Sequence, residues 1–213
     1  MKPPHRPKNE DSRLRALLSY EILDTMPESS FDDLTRIAST ICSTPIAFIS
    51  LVDARRQWFK SRIGLDAEET SRAVSFCGHA ILEEGVFIVR DALKDERFSD
   101  NPLVTSDPSF RFYAGAPLTT PEGFAIGTIC VVDEQPREFN SEQQAILKAL
   151  ARQAVLLLEM RKSLIGEALK NTFMRETANI ANLGHAVLGR SLDEHIWISE
   201  ELARIHGFEK KDY

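Results

Sequence analysis

The carboxyl-terminal third of the chain contains a long stretch without helix-breaking residues. No proline follows Pro136, and the first glycine after it is Gly166. At the start of the stretch, Asn140 or Ser141 can cap a helix, in either case with a glutamine three residues later that completes a capping box. A helix of about 30 residues is about 45 Å long, which is more than one small domain needs. The sequence therefore predicts a helix that begins near Ser141 and continues beyond the domain that contains its first turns.

Apolar side chains in this helix recur at alternating intervals of three and four residues. Such a seam, kept over several heptads, is typical of a coiled coil or a connecting helix. A terminal helix packed on its own domain would explain the first four turns, but not apolar spacing that continues past Leu164. We therefore expect a dimeric signalling helix with contacts at Leu147, Leu150, Ala154, Leu157 and Leu164.

The residues before this helix alternate between helical and strand-like patterns. The helical patterns cover 12–23, with Ser12 as N-cap, then 30–42 and 75–82. Loops are predicted at 65–76 and 91–108, and the longer one has the length of a lid or binding loop. The predicted strands cover 46–52, 57–64, 86–89, 110–118 and 125–132. Because hairpins join the strands and helices collect at both ends, the fold class is α+β, with a central, largely antiparallel β-sheet flanked by helices and a long C-terminal helix.

Charge and composition argue against several classes of partner. The chain has 26 Lys and Arg against 32 Asp and Glu, a net charge of −6. Nucleic-acid binding depends on clustered cations, so no nucleic-acid partner is expected. The longest apolar run, 154–158, falls far short of the roughly 20 residues of a membrane span, and no secretory signal is recognisable. Three widely spaced cysteines fit a reducing compartment. A cytoplasmic chain without a membrane span is therefore expected.

Six short segments, in order, resemble the GAF family. They are YEILDT at 20–25, ISLVD at 49–53, RQWFKS at 56–61, SFCGHAI at 75–81, FYAGAPL at 112–118 and GTICVVD at 127–133. The resemblance extends from about Arg13 to Leu164. It implies a GAF domain at 11–162, with the GAF fold, and a sensory module of bacterial signal transduction. Such modules occur in two-component sensor histidine kinases and diguanylate cyclases, and pass a signal through a long helix to a catalytic domain. Many dimerise through their first and last helices, so the resemblance also implies a homodimer.

The end of the chain resembles the opening of a PAS domain. The residues that carry this resemblance are Gly184, Trp197 with Ser199, Glu201-Leu202 and Ile205-His206-Gly207. We expect an incomplete PAS domain at 179–213, joined to the GAF domain by a connecting signalling helix at 163–178. Residues 1–10, rich in proline and basic side chains, are expected to form a flexible tail.

Cys77 and His79 are the sharpest candidates for chemistry. A thiol near an imidazole could be a redox sensor, a metal site or a nucleophile. Two residues apart on a helix, however, they do not share a face. The alternative is a buried cysteine together with a histidine that hydrogen-bonds to backbone. No metal site and no catalytic residue are predicted.

The GAF fold has one enzyme branch to consider, the free methionine sulfoxide reductases. Their first cysteine lies in a context that Cys77-Gly78 resembles, and their chemistry needs a partner thiol just ahead of the fourth strand. Residues 107–111 stand at that place without a cysteine, which leaves Cys42 and Cys130 as the other thiols. A thiol-dependent enzyme of this type is the alternative to a non-catalytic module.

A small-molecule pocket is the other candidate site. Aromatic residues Trp58, Phe76, Phe112 and Tyr113 could line it, although ordinary core packing would explain them equally. Cations could anchor an anionic ligand, and each could also be a solvated surface charge. The predicted pocket comprises Trp58, Lys60, Phe76, Cys77, His79, Asp91, Arg111 and Tyr113.

No cofactor is identified by the sequence. Residues 103–111 lack the Cys-His pair on which GAF domains carry a covalent bilin, so a covalent bilin is not expected. The signature of cyclic-nucleotide-binding GAF domains is not recognisable. His79 could be an axial ligand of haem, but a single histidine does not identify a haem site. Three hypotheses remain: a sensory and dimerisation module, a thiol-dependent enzyme, and an interaction module with a filled pocket.

Overall fold

The computed structural model describes residues 1–180, the pairs 186–187 and 197–198, and residue 204, with side chains described up to residue 176 and at residue 204. Contacts between Cα atoms divide the chain into two compact units, Met1–Lys162 and Ser163–Tyr213. In the second unit, Ala186–Val187 and Trp197–Ile198 pair as two antiparallel strands. Most of the residues of the expected PAS segment lie outside the described residues.

The first unit is built around one antiparallel sheet of six strands. In chain order they are β1 Ile46–Val52, β2 Arg56–Ile63, β3 Glu69–Ser71, β4 Phe87–Val89, β5 Phe112–Thr119 and β6 Ala125–Asp133. Across the sheet the order is β3-β2-β1-β6-β5-β4. The helices are α1 Glu10–Leu18, α2 Ser29–Cys42, α3 Phe76–Ala80, α4 Pro102–Thr105 and α5 Ser141–Ile180. The predicted α+β class, antiparallel sheet and long C-terminal helix are confirmed.

A separate hydrophobic core covers each face of the sheet. Helices α1, α2 and α5 supply one core, where Leu17, Phe31 and Leu147 pack on the sheet. Helices α3 and α4 and the segment between them supply the other, which is rich in phenylalanine. Strand β1 is buried along its whole length because it lies in the middle of the sheet with helices on both sides. Burial of both faces of β1 explains its continuous run of apolar residues.

The predicted first helix differs from the observed one at both ends. Helix α1 begins at Glu10, so Ser12 lies inside it and is not its N-cap. It ends at Leu18, and Glu21 then adopts a positive φ of 48°, which a continuing helix does not allow. Tyr20 nevertheless stays buried in the core. The apolar periodicity persists because the turn, and not the helix, directs this side chain inward.

Two segments expected to be loops contain regular structure. Residues 65–76 include β3, an edge strand with polar side chains, which pairs with Arg56–Trp58 of β2. Residues 91–108 include α4, where the Asn101 side chain caps Leu103 N and also donates to the Val74 carbonyl at 2.8 Å. Phe98 in the same segment is fully buried. This segment is a packed cover on the core and not an open lid.

The predicted start of the long helix is confirmed in detail. The Asn140 side chain accepts from Gln143 N at 2.8 Å, and the Gln143 side chain accepts from Asn140 N at 3.1 Å. This reciprocal pair is a capping box, which satisfies backbone donors that the first helical turn leaves free. Helix α5 then runs for 40 residues.

A buried ion network joins α1 to the sheet. The Glu10 carboxylate accepts two hydrogen bonds from the Arg13 guanidinium, at 2.8 and 2.9 Å, and one from Arg72. Arg13 also donates to the Val52 carbonyl at 2.7 Å. Burial alone would raise the pKa of Glu10, but the bonds and charges of the two arginines outweigh it and lower that pKa to about 2. Glu10 therefore stays ionised between two buried cations.

This network predicts an acid-dependent loss of stability. Because the folded pKa of Glu10 is about 2 against 4.5 for the free group, its contribution is complete above pH 5 and is lost as the pH falls towards 2. The difference corresponds to about 3 kcal/mol. We expect the stability gap between wild type and Glu10→Gln to shrink over this range in urea titrations. A gap that stays constant from pH 5 to pH 2 would contradict the prediction.

Candidate functional site

The face of the sheet beneath α3 carries a stack of aromatic rings. Phe76 lies between Phe98, with ring centroids 4.0 Å apart, and Tyr113, at 5.2 Å. Phe110 meets the edge of the Phe76 ring at 6.4 Å. All four side chains are buried. The space where Phe76 and Tyr113 were expected to line a pocket is occupied by their own packing.

Cys77 and His79 point to different sides of α3, as their spacing predicts. Cys77 is completely buried, with its Sγ 3.4 Å from the Tyr113 hydroxyl. His79 is half-buried, and its Nε2 lies 3.0 Å from the Lys2 carbonyl, so that it donates to backbone. Its pKa is lowered, mainly by burial. The two side chains therefore do not form one site.

The amino-terminal residues were expected to be a flexible tail, but they make specific contacts. Lys2 N donates to the Arg97 carbonyl at 3.1 Å. Pro4 lies so near Gly78 that a Cβ at Gly78 would be 2.6 Å from the proline ring. These residues cover α3. The sequence could not predict this packing because its partners are more than 70 residues away in the chain.

Trp58 and Lys60 lie on the opposite face of the sheet from Tyr113. Trp58 belongs to the core under α1, α2 and α5. The Lys60 ammonium is buried and donates to Thr25 Oγ1 at 2.9 Å, and to the Met26 carbonyl and Glu28 Oε1, each at 2.7 Å. Lys60 is therefore used to hold residues 25–28 on the sheet. The sheet separates these two residues from Phe76, Cys77 and Tyr113, which corrects the expectation of one shared pocket.

Asp91 and Arg111 form an ion pair at the β4 edge of the sheet. The Arg111 guanidinium donates to Asp91 Oδ1 at 2.9 Å, and Lys94 lies 3.3 Å from the other carboxylate oxygen. Burial alone would raise the pKa of Asp91, but these two cations lower it. A cleft of about 570 Å³ opens beside them. Cations and anions alternate along it, with Arg90 bound to Glu138 at 2.8 Å, so the lining does not select an anionic ligand.

Three of the five residues assigned to a dimer seam are used inside the domain. Leu147, Leu150 and Ala154 are buried in the core beneath α5, and Leu157 is partly buried against it. The three buried residues pack α5 on the sheet and cannot at the same time contact a second copy. Leu164, in the second unit, is 65% exposed. On the free side of α5, Leu156 is 51% and Met160 is 55% exposed.

Polar contacts hold α5 near the point where the first unit ends. The Tyr20 hydroxyl donates to the Glu159 carboxylate, and Lys162 Nζ lies 5.0 Å from the centre of the Tyr20 ring. Glu28 Oε1 accepts from Arg161 at 2.7 Å as well as from Lys60. The contacts of Tyr20 and Glu28 with α5 could not be predicted from the sequence, because each of them joins residues more than 130 positions apart. We call Tyr20, Glu28, Lys60, Glu159 and Arg161 the exit cluster.

Among the described residues, no three His, Cys, Asp or Glu side chains gather closely enough to hold a metal ion. The described helices also include none whose length and hydropathy would allow it to cross a bilayer.

The antiparallel sheet with helices on both faces, followed by a long helix, defines an α+β architecture. The family model of the GAF domain matches residues 27–158. The chain therefore belongs to the GAF family.

A characterised class of signalling enzyme includes a relative that is similar in sequence to most of this chain. It is a cyclic di-GMP phosphodiesterase of Pseudomonas aeruginosa, 44% identical over 153 residues, which are 71% of this chain and 26% of that protein. The chain thus spans about a quarter of the length of this relative.

Solved structures of low sequence identity share the fold. The GAF domain of an Acinetobacter phosphoenolpyruvate-protein phosphotransferase aligns with a TM-score of 0.55 at 19% identity, over 74% of this chain and 96% of that one. A domain assigned to a two-component sensor histidine kinase protein of Sinorhizobium meliloti aligns with a TM-score of 0.52 at 16% identity, over 66% of this chain and 97% of that one. At these identities the likeness concerns the fold alone.

Proposed function

We propose that this chain is a sensory or regulatory GAF module of a bacterial signal-transduction protein, without catalytic activity of its own. Helix α5 is the observation that carries the proposal. Its first turns complete the core of the domain through Leu147 and Ala154, and the same helix continues to Ile180. A rearrangement in the core would therefore displace a helix that leads towards the rest of the protein.

The exit cluster is the proposed point at which the domain acts on this helix. Tyr20 and Glu28 lie in the segment between α1 and α2, whereas Glu159 and Arg161 lie on α5. Lys60 connects the same segment to strand β2. A shift of β2 or of this segment would change the contacts that hold α5, which supports relay through the helix.

The proposed domain arrangement follows the sequence. The GAF domain occupies 11–162, a connecting signalling helix 163–178 and the first part of a PAS domain 179–213. The downstream domain would be a signalling enzyme, for which a histidine kinase and a diguanylate cyclase were expected. The relative from Pseudomonas aeruginosa, a cyclic di-GMP phosphodiesterase, favours an enzyme of cyclic di-GMP turnover. The whole protein would act in the cytoplasm.

Two modes of regulation follow from the family resemblance, ligand sensing and dimerisation. The stacked rings of Phe76, Phe98 and Tyr113 fill the α3 side of the domain, which favours dimerisation over a ligand in that place. Native mass spectrometry of the purified chain reports both the oligomeric state and any bound small molecule. A small molecule retained at stoichiometric amounts would instead favour ligand sensing.

The dimer surface is proposed on the free side of α5. Leu156 and Met160 lie one turn apart there and are half exposed, although both are large apolar side chains. A stable dimer buries about 800 Å² on each partner, which two side chains cannot supply. In the second unit, Leu164, Leu169 and Phe173 are also exposed. A second copy of the chain would cover such residues.

Two added charges on this surface test the dimer. We expect the wild-type chain to have about twice the 24.0 kDa mass of one copy, and Leu156→Glu/Met160→Glu to weaken the dimer at least about 100-fold, since each variant copy buries two unpaired carboxylates. Sedimentation over a concentration series measures the shift.

The matched control is Lys148→Glu, an exposed position on α5 that changes the net charge by the same amount. It should leave the dimer intact. A wild-type chain that is monomeric at high micromolar concentration would overturn the dimer, as would a double variant that associates as strongly as the wild type.

A thiol-dependent enzyme of the free methionine sulfoxide reductase type is the alternative. One observation favours it, since Cys130 lies next to Cys77 and supplies a second thiol. Against it, Cys77 is completely buried beneath α3, so a methionine sulfoxide would have to displace packed rings to reach the sulfur. Turnover of free methionine sulfoxide by the purified chain, lost in Cys77→Ser, would establish the enzyme instead.

A further inference from the structure

Strands β1 and β6 place a row of polar side chains beneath α3. Ser50 pairs directly with Thr128, and Phe48 with Cys130, in the antiparallel register. Because side chains alternate along a strand, Ser50, Thr128 and Cys130 share one face of the sheet. The Cys130 Sγ lies 3.5 Å from the Phe48 carbonyl. Three polar groups therefore lie within an otherwise apolar core.

Tyr113 of β5 reaches the same place because the residue two positions further along the same strand is a glycine. A Cβ at Gly115 would be 2.2 Å from the Tyr113 hydroxyl, so the phenol lies across Gly115. Gly115 itself pairs with Cys130. The Tyr113 hydroxyl thus arrives 3.4 Å from the Cys77 Sγ.

The Cys77 sulfur is the common partner of this polar cluster. The hydroxyls of Ser50 and Thr128 are buried and make no conventional hydrogen bond. Both lie near the Cys77 sulfur, as do the Tyr113 hydroxyl and the thiol of Cys130. Burial alone would raise the pKa of Cys77, but its interactions with these neighbours, first of all with Cys130, outweigh burial and lower that pKa. The pKa of Cys130 is raised, mainly by burial. Cys77 therefore lies among polar groups that favour its thiolate, with a second thiol beside it.

We propose that Cys77 and Cys130 are a redox-active dithiol that a hydroperoxide converts to a disulfide. The Cys77 thiolate attacks the terminal oxygen of the hydroperoxide, the O–O bond breaks, and the leaving alkoxide or hydroxide takes up a proton. The resulting Cys77 sulfenic acid is attacked by the Cys130 sulfur, the S–O bond breaks, and the leaving hydroxide takes the Cys130 proton to form water. Two thiols lose two electrons in all, and the peroxide is reduced to an alcohol, or water, plus water.

Burial restricts the oxidant to a small molecule. Cys77 and Cys130 have no exposed surface, and Pro4 covers α3 from outside. Hydrogen peroxide is small enough to enter during brief local opening, whereas bulky thiol reagents are not. This chemistry requires neither a dimer nor a downstream domain, so it can fail or succeed independently of the relay through α5.

Cys42 provides an internal control. It is the remaining cysteine of the chain, lies in the core on the other face of the sheet, and has its pKa raised to about 11, mainly by burial. Cys42 is therefore buried like Cys77, but its pKa is not lowered. If burial alone decided reactivity, Cys42 and Cys77 would react alike.

The test is oxidation of the reduced, full chain with hydrogen peroxide under native conditions. We expect intact mass to fall by two hydrogen atoms, peptide mapping to link Cys77 to Cys130, dithiothreitol to reverse the change, and Cys42 to react at least about tenfold more slowly. Cys130→Ala should stop at a Cys77 sulfenic acid, seen as a mass gain of one oxygen atom on the peptide that contains Cys77, while Cys42→Ala should behave as wild type.

Three results would overturn the dithiol. One is oxidation of Cys42 as fast as Cys77 in the wild-type chain. Another is a cross-link other than Cys77 to Cys130. The last is oxidation of Cys77 only at peroxide concentrations that also abolish the circular dichroism of the fold. All three are read from the wild-type protein and so do not depend on any variant folding.

Discussion

Replacing Glu10 with alanine is expected to destabilise the first unit by about 3–5 kcal/mol, because it leaves two buried guanidinium groups without their shared carboxylate. Arg13 and Arg72 are both buried, and each loses its bonds to Glu10. One terminal nitrogen of Arg72 already makes no hydrogen bond. Water cannot readily replace the carboxylate there, so the cost is that of an uncompensated buried charge. Urea unfolding followed by circular dichroism measures the loss.

The matched control for this variant is Glu138→Ala. Glu138 also pairs with an arginine, Arg90 at 2.8 Å, but its side chain is 86% exposed. Exposed pairs of this kind contribute about 0–1 kcal/mol, so the control should change stability little. Equal effects of the two substitutions would show that the Glu10 network is solvated, contrary to its burial.

Replacing Gly115 with alanine is expected to destabilise the domain by about 2–3 kcal/mol, the cost of overpacking a closed core. The added Cβ would lie 2.2 Å from the Tyr113 hydroxyl and 2.7 Å from the ring carbon that bears it. Tyr113 is buried beneath Phe76 and has no free space into which to move. Strand propensity alone would predict the opposite, a gain in stability, because glycine inside a strand usually costs stability.

A double-mutant cycle with Tyr113→Leu isolates the cause. In the Tyr113→Leu background, Gly115→Ala should cost less than about 0.5 kcal/mol, because the group that it strikes is gone. Gly85→Ala is the control for the substitution itself, since the one atom near its added Cβ is a lysine nitrogen at 4.0 Å. If Gly115→Ala costs the same with and without the phenol, the contact with Tyr113 is not the reason for the glycine.

Elements fixed by neighbouring residues could be predicted from the sequence. The capping box of α5 needs only Asn140 and Gln143, and both of its bonds form as predicted. The buried strand β1 is recognisable from its unbroken apolar run. The edge strand β3 was missed, because its polar residues become a strand only through pairing with β2.

The candidate site could be predicted only in part. The opposite directions of Cys77 and His79 follow from helix geometry and are observed. The grouping of Trp58 and Lys60 with Tyr113 was wrong, because a list of aromatic and charged residues does not say which face of the sheet each occupies. The seam of α5 was recognised as apolar, but three of its residues face the domain's own core.

The sequence by itself determined the family, the α+β class and the long helix, because these depend on periodicity, capping and motif order along the chain. Tertiary structure decided which distant residues meet. Glu10 reaches Arg72, Tyr20 reaches Glu159, and Cys77 lies beside Cys130. Each contact depends on strand register and on which face a helix covers. Those choices are made by the packing of the whole domain, since no local segment carries enough energy to fix them alone.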